Sequence, residues 1–350
     1  MAVSSHGVRR IANTITPYTN HAQAQLTTRV PGQAHSPALS VVVPVFNEAD
    51  GVTEFHRRLV SVLNALCQTS EIIYVNDGSS DDSYVTLCEL HEGDGRVAIV
   101  NLSRNFGKEV AVTAGLDHSL GAAAIVIDAD LQDPPEVIPL LVHKWQEGFD
   151  MVSARRRERR GETWLKRTTA TLFYQVMNRI GETSIPRDTG DFRLLSRRCL
   201  DALSECRERR RFMKGLFAWV GFRHAEVLYD RDPRFAGETK WSYWRLWNFA
   251  IEGITSFTIA PLKLATYIGL MTAFIAVTYA AAIVVRTLAF GRVTPGYASL
   301  MVVILLVSGV QLVAMGVIGE YIGRIFVESK NRPLYVLDEY HEARAFTSEE

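Results

Sequence analysis

The sequence predicts an α/β fold with a mostly parallel sheet and helices on both faces, followed by interfacial amphipathic helices and two transmembrane helices. Three observations support this prediction. Short β-branched runs alternate with helix-forming segments over residues 39–154, as in a series of βαβ units. Three of these apolar runs end abruptly in acidic loops. Two later runs, of 22 and 21 residues, contain no charged side chain and are long enough to span a bilayer.

The alternating part of the chain is predicted to contain five strands and four helices. The expected strands cover residues 39–45, 71–76, 97–102, 125–128 and 150–154. The expected helices cover residues 49–67, 80–92, 108–119 and 136–147. Strands joined by helices run parallel, so their carboxyl ends meet at one edge of the sheet, where α/β folds bind ligands.

Carboxylates directly follow the fourth expected strand, as Asp128-Ala129-Asp130-Leu131-Gln132. Asp128 and Asp130 alternate along the chain, and Gln132 adds a neutral oxygen two residues later. Oxygen ligands suit Mg²⁺ or Mn²⁺, which usually share their coordination shell with substrate phosphates. An isolated Asp-x-Asp is also typical of a solvated turn. The metal site is favoured because the first two strands also lead into acid-bearing loops.

These three loops, in this order, resemble those of family 2 glycosyltransferases with the GT-A fold, a nucleotide-sugar-binding fold. The first loop is Pro44-Val45-Phe46-Asn47-Glu48, and the second is Asn76-Asp77-Gly78-Ser79. The resemblance implies that the first two loops hold the nucleotide and that the Asp-x-Asp loop holds its metal-bound diphosphate. The residues it assigns to the nucleotide sugar are Pro44, Glu48, Asp77 and Asp128, and those it assigns to the metal are Asp130, Gln132 and Asp128.

Basic side chains at two further places are candidate phosphate contacts. Arg155 directly follows the fifth expected strand and should lie at the same sheet edge as Asp128, although the run 155–160 is also explained as a solvated charge cluster. The loop 234–240 contains Gly237 between Arg234 and Lys240. Its spacing resembles the flexible loop of dolichol-phosphate mannose synthase-like enzymes, which implies contact with the diphosphate. An ordinary surface loop is the alternative.

A second acidic loop, residues 188–191, leads into a short expected strand. In the resembling family such a loop lies at the acceptor side of the sugar. The resemblance therefore makes Asp191 a candidate base or sugar-orienting group, and these two roles stay open. Arg193 is a candidate cation for the acceptor phosphate. The catalytic residues predicted in this way are Asp130, Arg155, Asp191 and Arg193.

The remainder of the chain predicts a membrane protein. Three Trp within residues 241–247 are typical of a helix lying among lipid headgroups. The apolar runs 264–285 and 298–318 are the expected spans. Their short connection places both ends on the same side, which the basic tail assigns to the cytoplasm, although Arg286 and Arg292 weaken that signal. Small residues near the end of the second span, Gly316, Gly319 and Gly323, indicate helix packing and favour a homo-oligomer.

Composition sets further limits. Lys and Arg number 38, as do Asp and Glu, so the zero net charge predicts no general attraction to nucleic acid. Residues 1–38 contain no Asp or Glu and few large apolar residues, which predicts a disordered tail; an organelle transit peptide is the alternative.

The expected organisation is a tail at 1–38, a catalytic domain at 39–240, interfacial helices at 241–261, a transmembrane hairpin at 262–324 and a cytoplasmic tail at 325–350.

This organisation resembles polyprenyl-phosphate glycosyltransferases of the bactoprenol glucosyltransferase type. The resemblance implies metal-dependent transfer of a hexose, with inversion, from a nucleotide sugar to polyprenyl phosphate in the bacterial inner membrane. UDP-glucose is the expected donor; GDP-mannose, UDP-GlcNAc, UDP-galactose and a UDP-aminoarabinose type are alternatives. A membrane-anchored scaffold without turnover is a second class of hypothesis. A processive polysaccharide synthase is disfavoured because the chain has two expected spans and no Gln-x-x-Arg-Trp after its acidic loop.

Overall fold

The computed structural model describes residues 37–157, 189–209, 211, 213–230, 260–290 and 296–346. Three predicted features lie outside the described residues: almost all of the N-terminal tail, the loop with Arg234 and Lys240, and the interfacial segment up to residue 259. The described strands are β1 Leu39–Val45, β2 Ser70–Asn76, β3 Val97–Leu102, β4 Ala123–Val126, β5 Met151–Arg156, β6 Thr189–Ser196, β7 His224–Tyr229 and β8 Leu337–His341. The described helices are α1 Ala49–Ala65, α2 Ser83–Gly93, α3 Lys108–Asp117, α4 Ile138–Gln146, α5 Arg197–Glu205, α6 Met213–Trp219, α7 Ala260–Phe290 and α8 Tyr297–Ser329.

The eight described strands form one sheet in the order β7-β5-β6-β4-β1-β2-β3-β8. β1 is parallel to β2 and to β4, and the pairs β2–β3 and β5–β7 are also parallel. β6 is antiparallel to both β4 and β5, and β8 is antiparallel to β3. The predicted α/β sheet is therefore confirmed, with a parallel centre and antiparallel insertions.

Helices cover both faces of the sheet because its central strands are apolar on both sides. Val41 and Val43 of β1 pack in one buried cluster with α1, α2 and α4. Val42 points to the opposite face and packs in a second cluster with α3, α5 and α6. All three valines are fully buried. This alternation fixes the register of β1, whose carboxyl end, with Pro44, lies at the edge of the sheet.

Several elements differ from the sequence prediction, and strand β7 and helices α5 and α6 were not predicted at all. The expected helix 136–147 begins as a 3-10 turn, Pro135–Val137, because two consecutive prolines set its entry. Asp191 lies within strand β6 rather than in a loop before it. Strand β8 was not predicted, since its sequence Leu-Asp-Glu-Tyr-His lacks a β-branched pattern; it forms by covering the otherwise open edge of β3.

Helices α7 and α8 contain the two predicted apolar runs. Leu262–Ala289 and Leu306–Ser329 are long and apolar enough to cross a membrane by length and composition, and these windows are not buried within the chain. α8 extends past the expected end of the second span at residue 318 and stops at Ser329. The structure thus continues this helix 11 residues beyond the predicted apolar run.

Gly78 lets the loop after β2 touch the loop after β3. Its φ is +63°, and a Cβ at this position would lie 2.4 Å from the carbonyl carbon of Arg104 and 2.5 Å from the backbone nitrogen of Asn105. Both obstacles are backbone atoms, so a side chain requires the loops to separate. Glycine is needed here for its left-handed conformation and for the close approach.

Gly78→Ala is expected to destabilise the protein by about 1–3 kcal/mol, because it adds both backbone strain and a backbone clash. Thermal unfolding in detergent measures the effect as a lower Tm. Gly93→Ala is the matched control, since a Cβ at Gly93 meets nothing within 4 Å. Equal Tm values for the two variants would contradict the loop contact described above.

Candidate functional site

A cavity of about 240 Å³ lies at the carboxyl edge of the sheet. The ends of β1, β2 and β4 meet there because these strands are parallel neighbours. The lining residues are Pro44, Val45, Phe46, Glu48, Asp77, Asn105, Gly107, Lys108, Ala111, Asp128, Ala129 and Asp130. The structure therefore brings together five residues predicted from three separate loops: Pro44, Glu48, Asp77, Asp128 and Asp130.

The first two loops are fastened to each other by polar side chains. Asn47 has a φ of 56°, and its Oδ1 accepts a hydrogen bond from the Ser80 backbone N–H (2.8 Å). The Glu48 N–H donates to Ser83 Oγ (2.9 Å), and the Ala49 N–H donates to Asp81 Oδ2 (3.3 Å). These bonds satisfy N–H groups at the start of α1 that have no partner within the helix.

Asp77 supports the cavity wall through its backbone contacts. The side chain is buried, and its two oxygens accept hydrogen bonds from the N–H groups of Phe106 (2.7 Å) and Gly107 (2.9 Å). Burial raises the pKa of Asp77, while these two N–H groups and Arg104 oppose the rise. Asp77 thus connects the loop after β2 to the loop before α3.

The Asp-x-Asp loop has a tight, specific conformation. Leu131 is left-handed with a φ of 59°, which is costly for a leucine and marks a constrained turn. The Gln132 N–H donates to Asp130 Oδ1 (3.1 Å). Beyond the turn, buried Asp133 accepts a hydrogen bond from the Tyr229 hydroxyl, and Arg156 Nη2 lies 4.0 Å away. The loop is thereby attached to β5 and β7.

Only two of the three predicted metal ligands line the cavity. Asp128 and Asp130 line the cavity, whereas Gln132 is buried and is not one of the lining residues. Within the described ranges, no three His, Cys, Asp or Glu side chains are grouped as a metal cage. Two carboxylates at an open cavity fit a divalent cation that completes its shell with phosphate oxygens and water.

Lys108 connects the Asp-x-Asp loop to strand β6. Its Nζ lies 2.7 Å from Asp128 Oδ2 and 2.6 Å from Asp191 Oδ2. Burial opposes the charged ammonium, but the two carboxylates raise the pKa of Lys108 above its ordinary value. Burial also acts against ionised Asp191, yet Lys108 and Lys214 hold the pKa of Asp191 well below its usual range. For Asp128 burial dominates and raises the pKa.

Arg193 is buried rather than open to the cavity. Its guanidinium lies 3.9 Å from the centre of the Phe217 ring, and Nη2 donates to the Gly190 carbonyl (2.7 Å). Among the described residues, Nε is buried without a hydrogen-bond partner. Burial lowers the pKa of Arg193 to about 10, while Asp191 and Glu109 oppose the fall. The positive charge of Arg193 therefore helps to keep the Asp191 carboxyl ionised, although Arg193 does not line the cavity.

Arg155 lies within β5 instead of following that strand. Its Nη1 donates to Glu226 Oε2 of β7 (2.9 Å), and its side chain is 43% exposed. It pairs across the sheet with Thr189, two residues from Asp191. Arg155 is therefore near the strand that carries Asp191 but is not among the residues that line the cavity.

Sequence reasoning did not assign three charged residues of this site: Lys108, Glu109 and Lys214. Lys108 and Glu109 open α3 immediately after the loop that follows β3, so their position at a strand-to-helix turn was an available signal. Lys214 had no such signal, because α6 reaches the site only through tertiary packing. Lys214 contributes to the low pKa of Asp191, while burial lowers the pKa of Lys214 itself.

Two family models match the chain. The model of glycosyl transferase family 2 matches residues 40–204, and that of the GtrB C-terminal hairpin matches residues 260–325. A glycosyltransferase of Synechocystis sp. is 53% identical over 301 residues, which are 86% of this chain and 95% of that protein. The chain belongs to glycosyltransferase family 2. The family expected from the three loop motifs is thereby confirmed.

Two further relatives of this family 2 glycosyltransferase have more specific names. The SfII prophage-derived bactoprenol glucosyl transferase of Shigella flexneri is 47% identical over 303 residues, covering 87% of this chain and 98% of that protein. A prophage bactoprenol glucosyl transferase homolog of Escherichia coli K12 is 46% identical over 299 residues, covering 85% and 98%. The similarity therefore extends through both the catalytic fold and the apolar hairpin.

Glu109 adds a carboxyl that ionises near neutral pH. Burial, and after it the Asp191 carboxylate, raises the pKa of Glu109 to about 7. Its Oε2 accepts a hydrogen bond from the Met213 backbone N–H (3.1 Å). Between the unfolded value near 4.5 and the folded value near 7, the folded state binds more protons. Folding stability from this group is consequently lost as the pH rises through about 7.

Glu109→Gln is expected to raise Tm above that of the wild-type protein at pH 8 and to change it little at pH 5. The amide does not ionise, and its oxygen can still accept the Met213 N–H. Thermal unfolding at both pH values measures the difference, and Glu89→Gln, at an exposed position of α2, is the control. A Tm gain of the same size at both pH values would contradict the titration of Glu109.

Proposed function

We propose that this enzyme transfers a glucosyl group from UDP-glucose to polyprenyl phosphate in a membrane, with Mg²⁺ or Mn²⁺ as cofactor. One observation carries the proposal: a single cavity gathers the acid-bearing ends of β1, β2 and β4 in a chain that also has two apolar helices of membrane-spanning length. The relatives named bactoprenol glucosyl transferase support glucose as the sugar and a polyprenyl phosphate as the acceptor.

Donor binding is assigned to the cavity-lining residues. Pro44, Glu48 and Asp77 would hold the nucleotide, and Asp130, Asp128 and Gln132 would hold the divalent cation. A cation bound there would neutralise the negative charge that develops on the departing diphosphate. Arg234 and Lys240, which lie outside the described residues, remain proposed contacts for the same diphosphate.

The acceptor needs cations more than it needs a base. The second pKa of a phosphate monoester is about 6, so most of the acceptor is already a dianion at neutral pH. Two anionic substrates must approach each other, and Lys108, Lys214 and Arg193 supply positive charge near Asp191. Arg155 is a further candidate contact for the acceptor phosphate. To bind it, the guanidinium would exchange its ion pair with Glu226 for one with the phosphate.

Asp191 is assigned to orientation rather than to proton abstraction. Despite its burial, nearby cations hold the pKa of this carboxyl well below its usual range, and such a carboxylate is a weak base. It remains ionised and can accept hydrogen bonds from sugar hydroxyls. An acceptor oxygen then forms the new bond to the sugar carbon as the bond to the diphosphate breaks, which inverts that carbon.

The orientation in the membrane follows from the donor. Nucleotide sugars are cytoplasmic metabolites, so the catalytic fold and both ends of the hairpin are assigned to the cytoplasmic side of a bacterial inner membrane. Lys330 and Arg332 after α8 agree with the excess of positive charge on that side. Gly316, Gly319 and Gly323 on α8 are proposed to pack against other helices in a homo-oligomer.

A transfer assay tests this function. Purified protein in detergent receives each nucleotide sugar with undecaprenyl phosphate and Mg²⁺ or Mn²⁺, with and without EDTA. The expected result is a lipid-linked glucose formed from UDP-glucose alone and lost with EDTA. If the protein instead uses another donor, the sugar of that donor is the group transferred and the glucose assignment is wrong. A folded protein that transfers no sugar from any donor would favour a non-catalytic scaffold.

Asp130→Ala is expected to lower the transfer rate by at least about 100-fold, because cation neutralisation of the leaving group supplies several kcal/mol. The protein should stay folded and membrane-bound. Asp201→Ala is the matched control, since the side chain of Asp201 is 68% exposed on α5. Near-normal transfer by Asp130→Ala would remove this carboxylate from the metal site.

A further inference from the structure

Arg209 binds the end of helix α8 from a distant part of the chain. Its Nε donates to the Arg332 carbonyl (2.9 Å), and its Nη1 donates to the carbonyls of Val327 (3.2 Å) and Glu328. The Arg209 backbone N–H donates to Glu328 Oε1 (3.2 Å). The side chain is only 14% exposed despite its charge. Arg209 is thus built into the junction between the catalytic fold and the second apolar helix.

These contacts are those expected of a strong helix cap. The last carbonyls of a helix lack partners within it, and the helix end carries a partial negative charge. A guanidinium has five N–H donors in a planar fork, so one side chain can satisfy several carbonyls. Asn331 follows the helix with a φ of 45°, the left-handed geometry that commonly ends helices.

The chain beyond α8 is fastened to the same part of the catalytic fold. The Tyr335 hydroxyl donates to Asp117 Oδ2 (3.1 Å), and Arg207 Nη1 donates to the same oxygen (2.7 Å). Strand β8 then pairs with β3. The exit from the apolar hairpin is therefore held at Arg209, at Asp117 and at the sheet edge.

Helix α3 connects this attachment to the cavity. Asp117 is the last residue of α3, and Lys108, which bridges Asp128 and Asp191, is the first. Ten helical residues span about 15 Å. One short helix packed on the sheet thus has the hairpin attachment at one end and the catalytic charge cluster at the other.

We infer that Arg209 is a positioning residue that fixes the end of α8 on the catalytic fold, and so sets the height of the cavity relative to the membrane-bound acceptor. The inference rests on the proposed function, because height matters only for an acceptor anchored in the bilayer. A soluble donor reaches the cavity whatever that height is. Loss of Arg209 should consequently impair use of the lipid and spare use of the nucleotide sugar.

The test compares Arg209→Ala with the wild-type protein in lipid nanodiscs. We expect the KM for undecaprenyl phosphate to rise about tenfold, while the KM for the nucleotide sugar stays within about twofold. A short-chain, water-soluble polyprenyl phosphate should be used equally well by both proteins. Arg209→Lys keeps the positive charge but loses the planar guanidinium with its five N–H donors. Its KM for the lipid should therefore lie between the values for the wild-type protein and Arg209→Ala.

Arg198→Ala is the matched control, because Arg198, on α5, pairs with Asp150 and makes no hydrogen bond or ion pair with α8 among the described residues. Hydrogen exchange over residues 326–336 gives a readout that does not depend on any substrate, and it should speed up in Arg209→Ala alone. Equal rises in both KM values, or a Tm loss that accounts for the defect, would show a general structural role and overturn the inference. Unchanged hydrogen exchange over residues 326–336 in Arg209→Ala would also overturn the inference. A wild-type protein that transfers nothing to either acceptor would instead overturn the proposed function.

Discussion

The Lys108 ammonium lies between two carboxylates from distant parts of the chain, Asp128 after β4 and Asp191 in β6. Without that positive charge the two carboxylates would repel each other, and one of them would be driven to bind a proton. The Lys108 ammonium therefore favours ionised carboxylates at the site and bridges the Asp-x-Asp loop to β6. Glu109, Lys214 and Arg193 surround it and adjust the same balance.

The fold serves this cluster in two ways. Parallel strands β1, β2 and β4 bring their acid-bearing loops to one edge, and antiparallel β6 pairs with β4 and carries Asp191 and Arg193. Helix α3 carries Lys108 at its start and is held at its end by contacts from Arg207 and Tyr335 to Asp117. The apolar hairpin and the cavity are consequently joined through one short helix packed on the sheet.

Much of the site was predictable because its residues stand at the ends of buried, β-branched strands. Pro44, Glu48, Asp77, Asp128 and Asp130 follow such runs, and parallel strands bring their ends together whatever the details of packing. The bridge made by Lys108 was not predictable, because its second partner, Asp191, lies 83 residues away. The burial of Arg193 and Gln132 and the pairing of β8 also depend on tertiary neighbours, which local patterns do not specify.

Calorimetric titration with UDP in the presence of Mn²⁺ tests the central role of this ion pair most directly. Wild-type protein and Lys108→Arg should bind UDP, whereas Lys108→Met should bind at least about tenfold more weakly, a loss of about 1.4 kcal/mol. The reason is that Lys108→Met leaves the carboxylates of Asp128 and Asp191 without their shared counter-charge beside an anionic ligand. Equal UDP affinity in Lys108→Met and the wild-type protein would contradict the role given to Lys108.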